Sequence, residues 1–476
     1  IQVSAQNKTV TGKVTDAEGK PVAGASVQVK GTKIGVSAND AGVFTISVPN
    51  TSNILTVSGV GLVSQDIRID NNSVLNITLA TSNKNLDEVI VTGYQTVRKK
   101  DVAAAISKIS AAEIDNLPMP NFAQAMQGRA AGVAVSAANG VPGGTMNVII
   151  RGVGSINAGS TPLYVVDGVQ LNTGTGSINT QNNPLNFLNT NDIESIEILK
   201  DAAAASIYGA RAGNGVVLVT TKKGKLGKPK FTFNSFWGQT KALRTVDVLS
   251  TQDWYKLRVE SLVNSGVAPA TAAATALSNL GLPSNTAQGK IDSLPTYDWQ
   301  DAAFGTGTIS NVEMSIQGGA QNVTYYVSGS YSKQTAFIAP TDFNRAALLS
   351  KISFKINDKI TLDNSLSLST VKQNAPYSLG NTGFGNPAYA SAMILPINPI
   401  YNPNGTYYGL PGSGQNMVGT FNHNVLAVGD YAEYVTNTNQ VVANSSLTYK
   451  PTSHLTFRTF VGLDYRLTKD HRYQDP

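Results

Sequence analysis

The sequence predicts a mainly β protein in three parts: a small N-terminal β-sandwich, a mixed α/β domain, and the first part of a large antiparallel transmembrane β-barrel. Three observations carry this expectation. Short, punctuated strands fill residues 8–80, strand and helix signals mix over 101–228, and residues 229–476 hold long strands of period two whose connections are alternately long and short. Charged residues make up 14% of the chain, against about 25% in ordinary soluble domains, and Gly reaches 44 of 476. No stretch approaches about 18 consecutive apolar residues, which excludes a helical membrane span and leaves a β-barrel open. Thirty-six basic and thirty acidic residues leave +6, scattered along the chain, so no nucleic acid partner is indicated. With Cys at 0, a disulfide scaffold, a thiolate metal site and a thiol nucleophile are excluded.

At the front, Val3-Ser4-Ala5 has the small-x-small form of a signal-peptidase site, so residues 1–5 read as a signal-peptide remnant of an exported protein, with an ordinary frayed terminus as the alternative. From Thr9 to Leu79 the grammar is short strands and turns. Val10 to Thr15 gives way to Asp16-Ala17-Glu18-Gly19-Lys20-Pro21, Val27-Gln28-Val29-Lys30 stops at Gly31, and Phe44 to Val48 stops at Pro49. Residues 8–80 therefore read as a sandwich, and they resemble the carboxypeptidase-regulatory-like domain in fold, without a metal-ligand constellation.

Residues 81–100 form a linker that contains one strand candidate. Ser82 to Asn85 is polar, Asp87-Glu88-Val89-Ile90-Val91-Thr92-Gly93-Tyr94 follows, and Arg98-Lys99-Lys100 closes it. Three consecutive β-branched residues between polar flanks serve either as a buried strand of the next domain or as a strand offered to a partner's sheet edge, where main-chain hydrogen bonds give affinity. The string DEVIVTGY is similar to the TonB box of SusC-like TonB-dependent transporters, which favours the second.

Residues 101–228 mix helix and strand signals. Ser110-Ala111-Ala112-Glu113 is a capping box for a short helix stopped by Pro118, and Asn121 can cap a second helix running to Gln127. Met146 to Ile150 is a strand candidate. Leu163 to Val166 and Val169 to Leu171 are separated by Asp167-Gly168 alone, which predicts a two-residue type I′ hairpin. Ile196 to Leu199 leads to Asp201, expected to cap an Ala-rich helix, and Val216 to Val219 reads as a buried strand. Four stretches, Gln127 to Val133, Ile150 to Asn157, Pro162 to Val169 and Asp192 to Gly224, are together similar to the plug domain of SusC-like transporters. That resemblance implies that the domain sits inside a barrel, and that Arg151, Gly152, Asp167, Gly168 and Arg211 contact it. Arg151 and Arg211 are expected to pair with acidic side chains of the barrel wall, the alternative for each being a solvated surface position.

Beyond Lys230 the strands are two-faced. Val323, Tyr325, Val327 and Tyr331 alternate with Thr324, Ser328, Ser330 and Ser332; Ile352, Phe354 and Ile356 alternate with Lys351, Ser353 and Lys355; Leu362, Leu366 and Leu368 alternate with Thr361, Asp363, Ser365, Ser367 and Ser369. Phe231/Phe233, Val312/Met314/Ile316, Val441/Leu447/Tyr449 and Leu455/Phe457/Val461/Leu463/Tyr465 complete seven candidates. A long connection follows the first. Gly318 to Asn322 is short, Ser332 to Ala347 intermediate, Asn357 to Lys359 short, Thr370 to Gln440 long and Lys450 to His454 short. Antiparallel strands place successive connections at opposite ends, so one end carries tight turns and the other large loops, the habit of outer-membrane barrels. Seven strands cannot close a barrel of the family's size, and an open edge in hydrocarbon leaves backbone groups unpaired, so the chain is expected to stop part-way through the barrel.

No enzymatic chemistry is expected. His423, His454 and His471 are isolated, Gly152-Val153-Gly154 lacks a strand-turn-helix setting, and no phosphate loop or carboxylate pair in a pocket is legible. No cofactor or metal is expected either. Trp254, Tyr255, Tyr297 and Trp299 in the first long loop, with Tyr377, Phe384, Tyr389, Tyr401, Tyr407, Tyr408, Tyr431 and Tyr434 in the second, either stack on a sugar or peptide or fold the loops onto themselves. The resemblance implies TonB-dependent import of an oligosaccharide or peptide across the bacterial outer membrane. It also implies a SusD-like surface lipoprotein, the TonB-ExbB-ExbD energising complex, outer-membrane lipid around the barrel, and a periplasmic N-terminal domain and TonB box. A secreted or surface adhesin and a passive porin are the rival expectations.

Overall fold

In a computed structural model of the chain, the described residues are 7–32, 34–50, 52–59, 62–69, 74–80, 89–92, 95–98, 106–114, 122–137, 140–155, 159–174, 176–177, 183, 185–201, 205–338, 340–375, 386–410, 412–421 and 423–474. The chain divides into two compact units, one of residues 1–89 with 98–100, the other of residues 90–97 with 101–476. The expected signal-peptide remnant lies outside the described residues.

The first unit is built from β1 (Asn7–Asp16), β2 (Ser26–Val29), β3 (Gly35–Ser37), β4 (Val43–Pro49), β5 (Ile54–Ser58), β6 (Gln65–Arg68) and β7 (Val74–Leu79). One sheet runs β4-β1-β7 and the other β3-β2-β5-β6, with β1 antiparallel to β4 and parallel to β7. Alternation decides what is inside. Phe44, Ile46 and Val48 of β4 are buried while Val43, Thr45 and Ser47 face out, and they meet Val10, Val14, Val27, Val29, Leu55, Val57, Ile77 and Leu79 in one core. The linker strand β8 (Val89–Thr92) pairs with β9 (Gln95–Arg98) as a two-stranded sheet.

The second unit continues with β10 (Ile106–Ser110), α1 (Ala111–Ile114), β11 (Val133–Ala137), β12 (Met146–Ile150), β13 (Leu163–Val166), β14 (Val169–Gln170), β15 (Ile193–Leu199) and β16 (Val216–Thr221). The capping box forms, with Glu113 Oε2 accepting from the Ser110 amide at 2.7 Å and its hydroxyl at 2.8 Å; these bonds hold the Glu113 carboxyl below its ordinary range. The five-stranded sheet runs β10-β15-β16-β13-β14, and β15 and β16 are almost wholly buried because apolar side chains cover both faces. The expected second helix is a 3₁₀ run, Phe122–Met126, and its cap Asn121 lies outside the described residues. The Ala-rich helix expected after Asp201 is, in its described part, another 3₁₀ run, Ser206–Ala212, broken at Gly209 with φ 70°. Glycine at positive φ interrupts the helical ladder there.

Seven strands complete the unit: β17 (Gly227–Thr240), β18 (Gly307–Ala320), β19 (Val323–Thr335), β20 (Asp342–Lys355), β21 (Ile360–Asn374), β22 (Ala432–Tyr449) and β23 (Phe457–Gln474). They pair antiparallel in chain order in a single sheet. The intermediate connection shrinks to residues 336–341, because the ladder continues through polar positions where apolar alternation has ended, from Ser332↔Arg345 to Thr335↔Asp342. The two faces differ as the alternation requires. Asn311, Glu313, Ser328, Arg345, Ser365 and Gln440 are buried on one face, where Glu313, Ser328 and Arg345 bond to the α/β domain, whereas Val312, Met314, Leu348, Leu366, Val461 and Leu463 are exposed on the other. The long connections fold upon each other. α2 (Thr251–Asn264), α3 (Pro269–Asn279), α4 (Gln288–Asp292) and α5 (Trp299–Ala303) come from the first, α6 (Pro387–Met393) and α7 (Val425–Tyr431) from the second. Trp299 joins Ile394, Met417 and Phe421 in a shared core and donates its indole N–H to the Asn398 carbonyl at 3.0 Å.

Candidate functional site

The α/β domain is fastened to the polar face of the seven-stranded sheet along a seam, and the hairpin between β13 and β14 supplies its first point. A two-residue turn linking Val166↔Val169 needs positive φ at both central residues, and Asp167 and Gly168 take 49° and 87°. This aims the Asp167 carboxylate at the sheet. Its Oδ1 accepts from Lys351 Nζ at 2.7 Å and from the Thr221 amide at 3.0 Å, and its Oδ2 accepts from the Thr221 hydroxyl at 2.7 Å. Lys351 also donates to the Thr221 carbonyl at 3.0 Å, and Asn444 Nδ2 to the Asp167 carbonyl at 3.2 Å. Both charged side chains are nearly closed off from solvent, at 15% exposure for Lys351 and 10% for Asp167. Gly168 lies against the Phe460 ring, where a Cβ would sit 3.1 Å from the ring edge.

A second knot forms where residues 185–193 meet β18, β19 and β20. Asn189 caps the 3₁₀ turn Thr190–Asp192 and thereby presents two side chains to the sheet. Asp192 Oδ1 accepts from the Tyr326 hydroxyl at 2.8 Å and the Ser328 hydroxyl at 2.5 Å, Asn191 Nδ2 donates to Glu313 at 2.6 Å, and Arg345 Nη1 donates to the Leu188 carbonyl at 2.8 Å. Asp192, Glu313 and Arg345 are all buried. Burial first, and the Glu313 charge, push the Asp192 carboxyl up to about 6, against the opposing pull of the Ser328 and Tyr326 hydroxyls and of Lys222. Nearby, Gln373 Nε2 donates to the Pro142 carbonyl at 2.6 Å and Phe343 covers Gly143. Towards β23, Asp464 accepts from the Asn172 amide at 3.0 Å and Asp470 from the Ser177 hydroxyl at 2.9 Å.

Of the residues singled out from sequence, Asp167 and Gly168 stand on this seam. Arg151 and Arg211 find partners inside their own domain instead of on the sheet. Arg151, with φ 59°, forms an ion pair with Asp201, and Arg211 donates to Gln170 Oε1 at 3.3 Å and to the Leu171 carbonyl at 3.1 Å. The expectation of wall carboxylates for these two is corrected accordingly: their described partners belong to their own domain, which brings acceptors closer than the wall does. Gly152, at φ 94°, has open space where a Cβ would be. Asp87, Glu88, Gly93 and Tyr94 lie outside the described residues, and Val89, Ile90, Val91 and Thr92 are β8. Asp192, Glu313, Arg345 and Lys351 were missed, although a charge at an inward position of a Ser/Thr-rich strand is a legible signal for the last three. Among the described residues no cluster of His, Cys, Asp and Glu fit for a metal ion occurs.

Exposed aromatics remain on the loops. The Tyr401 and Tyr407 rings lie 5.3 Å apart, Tyr407 and Tyr431 6.3 Å, and the Tyr407 hydroxyl donates to Asp430 at 2.5 Å. Trp299 and Tyr255 by contrast are buried in loop cores, where aromatic area serves folding.

An α/β domain bonded to the polar face of a long-stranded antiparallel sheet, whose other face is apolar, has the arrangement of a plug held against a barrel wall. The TonB-dependent Receptor Plug Domain family matches residues 98–216 and the CarboxypepD_reg-like domain family matches residues 10–91. Over most of its length the chain is similar to SusC-like TonB-dependent receptors. It is 32% identical over 465 residues to TonB-dependent receptor P26 of Formosa agariphila, covering 96% of this chain and 43% of that protein. It is 30% identical over 472 residues to TonB-dependent receptor SusC of Bacteroides thetaiotaomicron, covering 94% of this chain and 43% of that protein. Among solved structures it is similar to the RagAB peptide importer in its open-open state, with TM-score 0.65, 26% identity, and coverage of 82% of this chain and 43% of that one. The chain thus spans less than half the length of the curated relatives it matches.

Proposed function

We propose that this chain acts in TonB-dependent import of an oligosaccharide or peptide across the bacterial outer membrane. A plug-like domain fastened to the polar face of the sheet by discrete polar seams supports this reading, and the short strand Val89–Thr92 precedes it in the chain. Asp87 to Tyr94 is the handle: it binds TonB by strand addition in the periplasm, and the TonB-ExbB-ExbD complex supplies the work. A SusD-like lipoprotein covers the long-loop side and delivers the cargo. In this reading residues 8–80 are the carboxypeptidase-regulatory-like domain, 81–100 the box and linker, 101–228 the plug and 229–476 wall and loops. The plug disfavours a passive porin, and the apolar outward face of the sheet disfavours a secreted adhesin. No catalytic step is proposed.

The test uses the full-length receptor in its own host. Growth on defined oligosaccharides and peptides as sole carbon source identifies the cargo, and deletion of residues 87–94 then abolishes that growth while purified receptor still binds the same compound. Undiminished growth of the deletion strain refutes the assignment.

A further inference from the structure

The strand register writes a second pattern on the outward face of the wall. Lys333 pairs with Asn344, Asn344 with Lys372, Lys372 with Asn437 and Asn437 with Lys469, so three exposed lysines stand in one row on alternate strands from β19 to β23. Strands about 4.8 Å apart space these ammonium groups by roughly 10 Å. One pair closer to the tight turns, the row reads Tyr331, Ala346, Thr370, Asn439, Leu467, and the next reads Gly329, Leu348, Leu368, Val441, Tyr465. Apolar and aromatic rows continue to Phe354, Tyr449 and Phe457. From Phe457 to Leu467 is roughly ten residues, which at about 3.4 Å rise and about 40° tilt spans about 26 Å along the membrane normal, the height of a barrel's apolar band. The lysines therefore mark the edge of that band on the side of the long loops.

A groove opens in the same face directly beneath them. It holds about 450 Å³ and is lined by Ala346, Leu348, Thr370, Asn439, Val441 and Tyr465. Its cause is local: Ala346 and Thr370 are short side chains in a row that ends in Tyr331 and Leu467. None of the three lysines takes part in an ion pair among the described residues. Asp342 stands one pair beyond the row, a single carboxylate beside three lysines.

We propose that this row and groove form a binding site for a phosphate-bearing membrane lipid, with the phosphate at Lys372 and Lys469, Lys333 completing the positive field, and an acyl chain in the groove. Charge complementarity selects the headgroup, and the apolar trough selects a lipid over a free anion. The inference rests on reading the sheet as a membrane barrel wall.

The test takes the full-length receptor in dodecylmaltoside micelles containing phosphatidylglycerol and phosphatidylethanolamine, and counts bound lipids by native mass spectrometry. Wild-type receptor retains phosphatidylglycerol preferentially. The triple variant Lys333→Gln/Lys372→Gln/Lys469→Gln loses that retention by about tenfold or more, the corresponding triple Arg variant keeps it, and Ala346→Trp loses it with every lysine in place. Heat-modifiable gel mobility checks that each variant is folded. Retention by the glutamine variant overturns the proposal, as does displacement of the lipid by millimolar inorganic phosphate combined with normal retention in Ala346→Trp. Fractionation of the same cells separates the two readings: absence from the outer membrane sinks the barrel reading itself, whereas membrane residence without lipid preference sinks only the site.

Discussion

Replacing Lys351 by Met should loosen the plug more than any exposed change on the same strand. The substitution keeps the length of the side chain and removes its charge, leaving the Asp167 carboxylate, 10% exposed, with the Thr221 amide and hydroxyl as its donors among the described residues. Removing one partner of a closed-off ion pair costs about 3–5 kcal/mol, most of it for the charge left behind. Removing both charges should cost less. Asn tolerates positive φ, so Asp167→Asn preserves the turn, and the double variant Asp167→Asn/Lys351→Met should show a coupling energy of about 1–3 kcal/mol relative to the sum of the singles. The quantity to follow is plug release, read as the urea concentration at which full-length receptor in a planar bilayer begins to conduct. A midpoint shift for Lys351→Met no larger than that for Lys355→Met, exposed on the same strand, or additivity of the two singles, refutes the reasoning.

Three more outcomes are expected. Burial pushes the Asp192 carboxyl up to about 6, above the ordinary carboxylate range, so its proton is held more tightly in the folded state; its contribution to stability is fully present at acid pH and is lost as pH rises from about 4 to about 6, by about 3 kcal/mol in all. Thermal unfolding of purified receptor followed from pH 4.5 to 7.5 should show this slope, and Asp192→Asn should flatten it. At Gly143, φ is 70° and a Cβ would run into the Phe343 ring, so Gly143→Ala costs about 1–3 kcal/mol from overpacking alone; the conductance midpoint should drop, and Phe343→Ala should recover part of the loss. Trp299→Ala removes the centre of the loop core and its bond to Asn398, at about 3–5 kcal/mol, and limited proteolysis should then cut residues 241–306 and 386–431 while sparing the strands.

Local chemistry was legible wherever one or two residues dictate a geometry. Asp167-Gly168 announced its turn because few residues accept positive φ twice in succession, and Ser110 with Glu113 announced a helix start. The wall strands were legible for a related reason, since a sheet apolar on one face must alternate, and all seven candidates pair in chain order. What stayed hidden depends on separation. Asp192 meets Tyr326 and Ser328, and Asn191 meets Glu313, across stretches that no local pattern links. Arg151 and Arg211 illustrate the converse, because an arginine's charge declares that it needs acceptors without saying which surface will provide them. The loop aromatics divided for the same reason, with Trp299 internal and Tyr401 exposed, a difference set by packing between two loops distant in sequence.

The hairpin between β13 and β14 makes hinge and bolt one residue. Because Asp167 both permits the reversal of the chain and grips Lys351, a load that twists the turn away from its left-handed backbone would swing the carboxylate out of reach, so strain on the strand pair is converted into unlatching without a separate trigger.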